Sequence, residues 1–451
     1  MTRVITYGTF DLFHEGHRRL LERARSLGDY LIVGVTTEGY DDTRGKLNVR
    51  DSLVERLRKV TESGLADEVI VEEYEGQKIR DIQRYNIDVF VIGSDWEGKF
   101  DYLGDYCQVV YLDRTKGVSS TELRQADGII RLGVVGAGRI ARRFVRESRH
   151  VSGVDAVTVW ARDPDKRRAF ADAFELPGTS GSYEELLAEV DAVYIASPHE
   201  THVPYARQAL EAGVHVLCEK PMALHADEVV GLYDLADEKG VVLLEALKTA
   251  FAPGFQRMVA IARGGSIGSI RSVDATFTKL IRAGREVDSP VGGAITELAS
   301  YPLLAITKLL GDTPDEVICR AFKPEDSRVE QFARIDLAYP HAVATAKVGI
   351  GVKSEGDLVV AGTKGYLYVP SPWWLTEYFE TRFEDPRENR KYYYKYDGDG
   401  LRYELAEFMT MIRDRTVESF KLRRGESVAL ARIIEQARTH PRVFGADQDV
   451  A

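Results

Sequence analysis

The sequence predicts an α/β protein in which two parallel α/β domains are followed by an α+β domain with an open, mostly antiparallel sheet. Two segments begin alike, each with a short β-branched strand, a glycine-containing turn and an amphipathic helix. Strand and turn occupy residues 4–10 and 130–138, and the helices follow at residues 17–26 and 140–147. Such units start parallel α/β domains, whose ligands bind at the carboxyl ends of the strands. After about residue 245 short alternating segments appear, which are typical of antiparallel strands.

The first parallel domain continues with apolar strands and interleaved helical stretches. Its later strands are predicted at residues 30–35, 69–71, 89–92 and 109–112. The boundary falls near residues 125–128, without a Pro-rich or Ser-rich linker, so the first domain is predicted over residues 1–127. A short linker is compatible with close coupling of the domains but does not prove it.

The second parallel domain is predicted over residues 128–247 and the α+β domain over residues 248–451. The alternating segments that predict the antiparallel sheet are residues 272–279, 334–337, 342–348, 358–361 and 366–369. Closing helices are predicted at residues 404–413 and 425–438. We interpret the α+β domain as the substrate and oligomerisation domain, and expect a homo-oligomer, either a dimer or a tetramer.

The composition argues against several classes of protein. Of the 451 residues, 44% are apolar and 29% charged, and the net charge is -11. A net negative charge argues against binding to a nucleic acid polymer or an anionic membrane, so any polyanion site must be local. No apolar run approaches the ~20 residues that span a bilayer, and the N-terminus reads as a strand rather than a secretion signal. The three cysteines form no metal-type cluster, and their odd number gives no disulfide framework, so we expect a cytoplasmic protein without membrane insertion.

The motif His14-Glu15-Gly16-His17 lies where the first strand turns into a helix. A helix N-terminus offers free amides and the positive end of a dipole, which favour phosphate. Gly16 lets the backbone approach a phosphate closely, and histidines three residues apart can donate to phosphoryl oxygens. The motif alone is also compatible with two surface histidines at a helix start.

The surrounding residues resemble the HxGH cytidylyltransferase family, and within it the glycerol-3-phosphate cytidylyltransferases. The resemblance covers essentially all of residues 1–125. The segments that carry it read YGTFDLFHEGH (7–17), LLERA (20–24), NIDVFVIG (86–93), DWEGKF (95–100) and RTKGVSST (114–121). It implies a Rossmann-like nucleotidyltransferase fold, CTP and a polyol phosphate as substrates, and Mg²⁺ held through the CTP phosphates with no metal site of the protein's own.

The resemblance also implies roles for individual residues. The CTP site would contain Thr9, Phe10, His14, His17, Lys46, Asp95, Arg114, Thr115, Ser119 and Ser120. His14, His17 and Lys46 would act on the phosphates during catalysis, and Arg44 and Lys78 would bind the acceptor phosphate. The family has lysine where Arg44 stands, so this arginine could shift acceptor preference. A solvated surface side chain is the alternative for each charged residue, above all for Arg44.

The second glycine turn has the pattern Gly136-x-Gly138-x-x-Ala141 after an apolar strand, which is typical of dinucleotide binding. Two later segments read VDAVYIASPHETH (190–202) and AGVHVLCEKP (212–221). Together they resemble the glucose–fructose oxidoreductase/inositol dehydrogenase (Gfo/Idh/MocA) family, from about residue 129 to the C-terminal helices. The cofactor residues that this implies are Gly136, Gly138, Arg139, Ile140, Ala161, Arg162, Ser197, Pro198, His202, Glu219 and Lys220.

Lys220 is the catalytic lysine that this resemblance implies, beside the nicotinamide and the substrate, where an ammonium can polarise a carbonyl. A lysine on a turn before a proline is the alternative. The family's acidic segment reads GGAITELASY here, so Glu297 replaces an aspartate, Ala299 a glycine and Tyr301 a histidine. Tyr301 is the proposed proton donor, the role of Glu297 is open, and an inactive reductase is the other possibility.

The choice of cofactor follows from the end of the second strand of this domain, which normally carries an acid for the ribose 2′-hydroxyl. Ala161 and Arg162 stand there instead. A guanidinium in place of a carboxylate suits a 2′-phosphate, so we predict NADP(H) rather than NAD(H). Asp163 follows directly and could still reach the ribose.

A fusion of these two activities suggests one route, in which a small carbonyl compound is reduced and a polyol phosphate is activated with CTP. The predicted product is a CDP-polyol. CDP-glycerol or an isomer of it is the first candidate, and CDP-ribitol, made from a pentulose phosphate, is the second. Lys279, Arg282 and Arg285 could hold a phosphate on the carbonyl substrate, or form a solvated basic loop. The alternatives are one active domain with a binding or dimerisation module, and two independent enzymes.

Overall fold

A computed structural model describes residues 1–43, 46–74, 76–113 and 128–444. The chain divides into two compact units, Met1–Ala192 and Val193–Ala451, called here the N-terminal and C-terminal units. Among the described residues, no helix is both long and apolar enough to cross a membrane.

The N-terminal unit begins with a five-stranded parallel sheet of order β3-β2-β1-β4-β5. The strands β1 to β5 are Arg3–Gly8, Tyr30–Thr36, Glu68–Glu72, Val89–Gly93 and Gln108–Leu112. The helices α1 to α4 are Glu15–Arg25, Glu38–Thr43, Leu53–Glu62 and Gln77–Tyr85, and short 3-10 turns lie at Ser94–Trp96 and Asp101–Asp105.

Both faces of this sheet are buried, which explains its continuous apolar strands. Val4 and Val33 belong to the core on one face, and Ile5 and Ile32 to the core on the other. Strand β1 lies between β2 and β4, where the strand order reverses direction. A crevice forms at the carboxyl ends of strands at such a point, so the residues after β1 are placed where ligands bind in open α/β sheets.

A second parallel arrangement starts in the same unit, with β6 paired to β7 and β7 to β8. The strands β6 to β8 are Ile130–Val135, Val154–Trp160 and Gly178–Thr179. The helices α5 to α7 are Arg139–Ser148, Pro164–Phe174 and Tyr183–Glu189. Strand β9, Ala192–Ile195, lies at the boundary of the two units.

The C-terminal unit contains a parallel pair, β10 and β11, and a nine-stranded mixed sheet. Strands β10 and β11 are His215–Glu219 and Leu243–Ala246, and helices α8 and α9 are His202–Glu211 and Ala226–Lys239. Strands β12 to β20 are Ile270–Thr278, Glu316–Phe322, Phe332–Tyr339, Ala342–Gly349, Leu358–Gly362, Gly365–Val369, Tyr378–Phe383, Arg390–Tyr393 and Arg442–Phe444. Helices α10 to α15 are Pro253–Arg263, Arg285–Asp288, Ala294–Leu298, Ser300–Leu310, Leu401–Asp414 and Arg424–Thr439.

The nine-stranded sheet has the order β19-β18-β17-β16-β12-β15-β14-β13-β20. Its pairs are antiparallel except β12 with β15 and β13 with β20, so the prediction of a mostly antiparallel sheet is confirmed. The five predicted strands correspond to β12 and β14 to β17. Sequence analysis missed β13, β18, β19 and β20, although β13 alternates between buried and more exposed residues over part of its length.

A buried ion pair fixes the loop that follows β1. Arg56 and Asp41 are fully shielded from solvent, and Arg56 Nη1 lies 3.5 Å from Asp41 Oδ2. The same nitrogen donates to the carbonyl oxygens of Thr9 (2.8 Å) and Thr36 (2.7 Å). Asp41 Oδ1 accepts from the hydroxyls of these two threonines at 2.8 and 2.7 Å. One charge pair thus joins the ends of β1 and β2 to α2 and α3.

Replacing Arg56 with methionine should destabilise the N-terminal unit by about 3–5 kcal/mol, because Asp41 is left as a buried, unpaired charge. Urea unfolding followed by fluorescence and circular dichroism would measure the loss. Arg58→Met on the same helix is the control, since Arg58 pairs with Glu55 and Glu62 at the exposed surface. Equal unfolding midpoints for the two variants would contradict this role for the buried pair.

Candidate active sites

The loop after β1 is held in an unusual backbone conformation. Phe10 and Leu12 have positive φ angles of 52° and 47°, which non-glycine residues seldom adopt. Asp11 Oδ1 accepts from the backbone N–H groups of Arg50 (2.9 Å) and Asp51 (2.8 Å), and Asp51 Oδ2 accepts from that of Leu12 (2.9 Å). These reciprocal bonds fix the loop, so it can present Thr9, Phe10 and His14 without further ordering.

His14 and His17 form the N-terminal cap of α1. His14 Nδ1 accepts from the Gly16 N–H at 3.0 Å, and His17 Nδ1 faces the His14 N–H at 3.4 Å. The rings stack with centroids 3.9 Å apart. Because each Nδ1 serves as an acceptor, each neutral ring carries its proton on Nε2, where it can donate to a ligand. Burial lowers the pKa of His17 well below its usual value, with smaller contributions from the neighbouring His14 and Lys46, so this ring stays neutral.

Gly16 is required by the cap itself. A Cβ atom at this position would lie 2.8 Å from His14 Cε1 and 3.0 Å from His14 Nδ1. Sequence analysis assigned this glycine to close phosphate approach, and the packing of the His14 ring is an additional reason that only the structure reveals.

A cavity of about 450 Å³ opens at the carboxyl end of β1. The residues of the predicted nucleotide and acceptor sites that line it are Thr9, Phe10, His14, His17, Lys46 and Lys78. Asp95 lies in the 3-10 turn Ser94–Trp96, whose Trp96 also lines the cavity. Arg44, Arg114, Thr115, Ser119 and Ser120 lie outside the described residues.

The predicted acceptor residue Lys78 is buried and forms an ion pair with Glu72, which is fully buried. Its ammonium also lies 4.7 Å from the ring centroid of Tyr7 and 5.2 Å from that of Phe100. Sequence analysis missed Glu72, which ends β3 in an otherwise unremarkable strand pattern. The pair keeps a cation in the cavity without leaving its charge uncompensated.

The second glycine turn has the geometry that a dinucleotide requires. Gly136 has a φ angle of 110°, which favours glycine, and a Cβ atom at Gly138 would meet open space. Gly138 caps α5 without any side-chain hydrogen bond, and Arg139 and Ile140 form the first turn of that helix. A helix N-terminus reached through glycines fits a pyrophosphate group.

At the end of β7 the structure separates the roles of Arg162 and Asp163. Asp163 Oδ1 accepts from the N–H groups of Asp165 (3.0 Å) and Lys166 (3.1 Å) and so caps α6. Arg162 is exposed, and its guanidinium makes no ion pair or hydrogen bond within residues 1–43, 46–74, 76–113 and 128–444. The carboxylate is therefore committed to the helix, while the guanidinium stands beside Ala161.

In the C-terminal unit, His202 connects two of the predicted cofactor segments. Its ring nitrogens lie 2.9 Å from the Pro221 carbonyl oxygen and 3.0 Å from that of Ser197. Burial and the neighbouring His199 lower the pKa of His202 to about 4, so the ring is neutral at physiological pH. As a neutral ring it can donate to only one of these two carbonyl oxygens, and it lies between the Ser197–Pro198 turn and the residues after β10.

Lys220, Glu297 and Tyr301 come together in the same unit. Lys220 Nζ donates to the Glu297 carbonyl oxygen at 2.9 Å and lies 5.7 Å from the Tyr301 ring centroid. Glu297 Oε1 lies 2.9 Å from His199 Nε2. Burial opposes ionisation of Glu297, but the His199 hydrogen bond and the Lys220 charge lower its pKa to about 2. Glu297 is thus a carboxylate at neutral pH and cannot be the proton donor, whereas the Tyr301 hydroxyl can.

The surroundings of Glu219 disfavour its ionised form, unlike those of Glu297. It is buried, and its Oε1 accepts from the Tyr194 hydroxyl at 2.5 Å. Burial raises the pKa of Glu219, against the opposing effect of the Lys220 charge. The two carboxyl groups near Lys220 therefore differ in their tendency to ionise, and Glu297 carries the permanent charge.

Comparisons with known proteins agree with the two sets of motifs. The cytidylyltransferase-like family model matches residues 5–126. A glycerol-3-phosphate cytidylyltransferase of Bacillus spizizenii is 52% identical over 125 residues, which are 28% of this chain and 96% of that protein.

The remainder matches two models of one oxidoreductase family. The NAD-binding Rossmann fold of the Gfo/Idh/MocA family covers residues 130–247, and the family's C-terminal domain covers residues 255–368. Trans-1,2-dihydrobenzene-1,2-diol dehydrogenase of Mus musculus is 32% identical over 319 residues, 68% of this chain and 96% of that protein. A 3-ketoreductase from Actinomadura kijaniata, solved with NADP and TDP-benzene, has the same fold, with a TM-score of 0.64 at 23% identity over 71% of this chain and all of that chain.

Gly16→Ala should displace the His14 ring and lower the kcat of CTP-dependent pyrophosphate release about 10²-fold, as when one preorganised donor is removed. Steady-state assays on the purified full chain would measure this. Gly39→Ala is the matched control, because a Cβ atom there meets no atom within 4 Å. If Gly16→Ala turned over as fast as Gly39→Ala, the histidine cap would have no catalytic importance.

Proposed function

The chain belongs to the cytidylyltransferase-like family through its N-terminal part and to the Gfo/Idh/MocA oxidoreductase family through the remainder, and on this premise we propose that it makes a CDP-polyol. One part transfers a cytidylyl group from CTP to a polyol phosphate, with glycerol phosphate favoured. The other reduces a small carbonyl precursor with NADPH. The domain boundaries at residues 127 and 247, a cytoplasmic location and a homo-oligomer are part of the proposal.

The observation that carries the first activity is the convergence of His14, His17 and Lys46 on one cavity at the end of β1. An oxygen of the acceptor phosphate attacks the α-phosphorus of CTP, and the bond to the pyrophosphate oxygen breaks. The Nε2–H groups of both histidines and the Lys46 ammonium stabilise the charge that develops on the leaving pyrophosphate. Mg²⁺ bound to the triphosphate would supply further neutralisation.

For the second activity, NADPH would supply the hydride to the carbonyl carbon. Lys220 polarises the carbonyl oxygen, and the Tyr301 hydroxyl gives its proton to the alkoxide that forms. The ionised Glu297 stabilises the charge of Lys220, whose amine also donates to the Glu297 backbone. Glu297, whose role the sequence left open, thereby takes an electrostatic role.

The decisive experiment supplies the full chain with CTP, Mg²⁺, NADPH and a panel of polyol phosphates and small ketones. Pyrophosphate release and NADPH loss are followed together. We expect glycerol phosphate to trigger pyrophosphate release, His17→Ala to abolish that release alone, and Lys220→Ala to abolish NADPH loss alone. In each variant, the activity of the domain without the substitution is the control for correct folding.

The other outcomes of this experiment separate the alternatives. Faster release with ribitol phosphate than with glycerol phosphate would select CDP-ribitol. If one of these substitutions leaves both activities intact, the domain that contains the substituted residue is a binding or dimerisation module. The CDP-polyol proposal fails if no polyol phosphate triggers pyrophosphate release.

We further propose that Arg162 selects NADPH through the 2′-phosphate. A hydrogen bond to a charged group contributes about 1.5–3 kcal/mol, so Arg162→Ala should lower kcat/KM for NADPH about 10- to 100-fold and leave NADH within about twofold. Arg168→Ala, an exposed arginine on α6, is the matched control. An unchanged ratio of NADPH to NADH activity in Arg162→Ala would exclude this role.

A further inference from the structure

The cavity at the carboxyl end of β1, called here the nucleotide cavity, is lined in part by residues that lie outside the cytidylyltransferase segment. Helix α5, which starts at the dinucleotide turn, ends at Ser148, and the turn Arg149–Val151 that follows lines the cavity. These residues lie outside the segment 5–126 that the cytidylyltransferase-like family model covers. The oxidoreductase part of the chain therefore contributes directly to the nucleotidyltransferase cavity.

This turn holds the side chain of Lys46 and the backbone of the residue that follows it, Leu47. Lys46 Nζ donates to the Arg149 carbonyl oxygen at 3.0 Å. The next residue, Leu47, forms a parallel bridge with Val151: its N–H donates to the His150 carbonyl oxygen at 2.8 Å, and its own carbonyl accepts from the Ser152 N–H at 2.9 Å. The phosphate-binding lysine is thus held in register by a segment about one hundred residues away in the chain.

His150 lines the side of the cavity that contains Lys78, the predicted acceptor residue. Its ring packs edge-on against Trp96, with ring centroids 6.0 Å apart. The ring centroids of Trp96 and Phe100 are also 6.0 Å apart. Phe100 in turn lies 5.2 Å from the ammonium of Lys78, the predicted acceptor residue. An unbroken series of contacts therefore leads from Lys78 to His150 along one side of the cavity.

We propose that the turn Arg149–Val151 is a working part of the nucleotidyltransferase site: it positions Lys46, and it presents His150 to the polyol phosphate. In-line attack places the acceptor phosphate on the side of the α-phosphorus opposite the leaving pyrophosphate, and His150 lies on the side of the cavity where ring contacts through Trp96 and Phe100 lead to Lys78, the predicted acceptor residue. An imidazole there can hydrogen-bond a hydroxyl or phosphate oxygen of the acceptor. His150 is thus a specificity-determining residue, and this inference rests on the proposed cytidylyl transfer.

The first test uses full-length His150→Ala and His150→Phe, with KM measured separately for CTP and for glycerol phosphate. We expect both variants to raise the acceptor KM at least fivefold and to leave the CTP KM within twofold. The phenylalanine keeps the packing on Trp96, so it answers the question even if the alanine variant folds poorly. His341→Ala, an exposed histidine between β14 and β15, is the matched control.

The second test removes one hydrogen bond of the bridge. Gly153 has a φ angle of 81°, as at the third position of a type II turn, and proline is favoured at the preceding position. Proline is therefore a residue that a turn of this type favours, and Ser152→Pro eliminates the N–H that donates to the Leu47 carbonyl oxygen. We expect the CTP KM to rise about 2- to 10-fold, because Lys46 loses its register, with NADPH oxidation within twofold of the wild type.

An acceptor KM within twofold of the wild type in His150→Phe, or a CTP KM unchanged in Ser152→Pro, would overturn the inference. Either result is obtained with an enzyme that still releases pyrophosphate. It is therefore distinct from failure of the proposed function, in which the wild type itself releases none.

Discussion

Asp41 and Arg56 are both withdrawn from solvent, and the nucleotide cavity depends on their interaction. The pair accepts and donates the hydrogen bonds that hold Thr9 after β1 and Thr36 at the end of β2. The Asp41 carbonyl also accepts from the Lys46 N–H at 2.9 Å. A buried charge pair tolerates little movement, since separation would leave two desolvated charges. The loop with positive φ angles and the backbone of Lys46 are therefore both tied to this ion pair.

The proposed polyanion site lies within a chain of net charge -11. The two histidines contribute N–H donors rather than permanent charges, because their Nδ1 atoms are used as acceptors in the helix cap. Lys78 carries its own counterion, Glu72. In the proposed site, local donors and compensated cations thus take the place of a broad basic surface.

Helix α5 is the element that the two halves of the chain share. Its N-terminus follows the glycine turn that fits a dinucleotide, and its C-terminus leads into the turn that contacts Lys46. Ten residues of helix separate these ends by about 15 Å. The absence of a long linker, already visible in the sequence, thus has a structural counterpart: the first part of the oxidoreductase segment packs within the same compact unit as the cytidylyltransferase segment.

The sequence by itself determined the strand–turn–helix starts, the HxGH cap and the mostly antiparallel sheet, because these features depend on residues close together in the chain. A capping histidine and its partner are three residues apart, and a strand's alternation is visible within one segment. Strands β19 and β20 escaped prediction because they are short and largely exposed, so their apolar pattern is weak. Only the tertiary structure decided that Glu72 neutralises Lys78, that Asp163 caps a helix and that Arg149 and His150 belong to the nucleotide cavity. The contacts of Arg149 and His150 join residues up to 103 positions apart, and no local spacing encodes them.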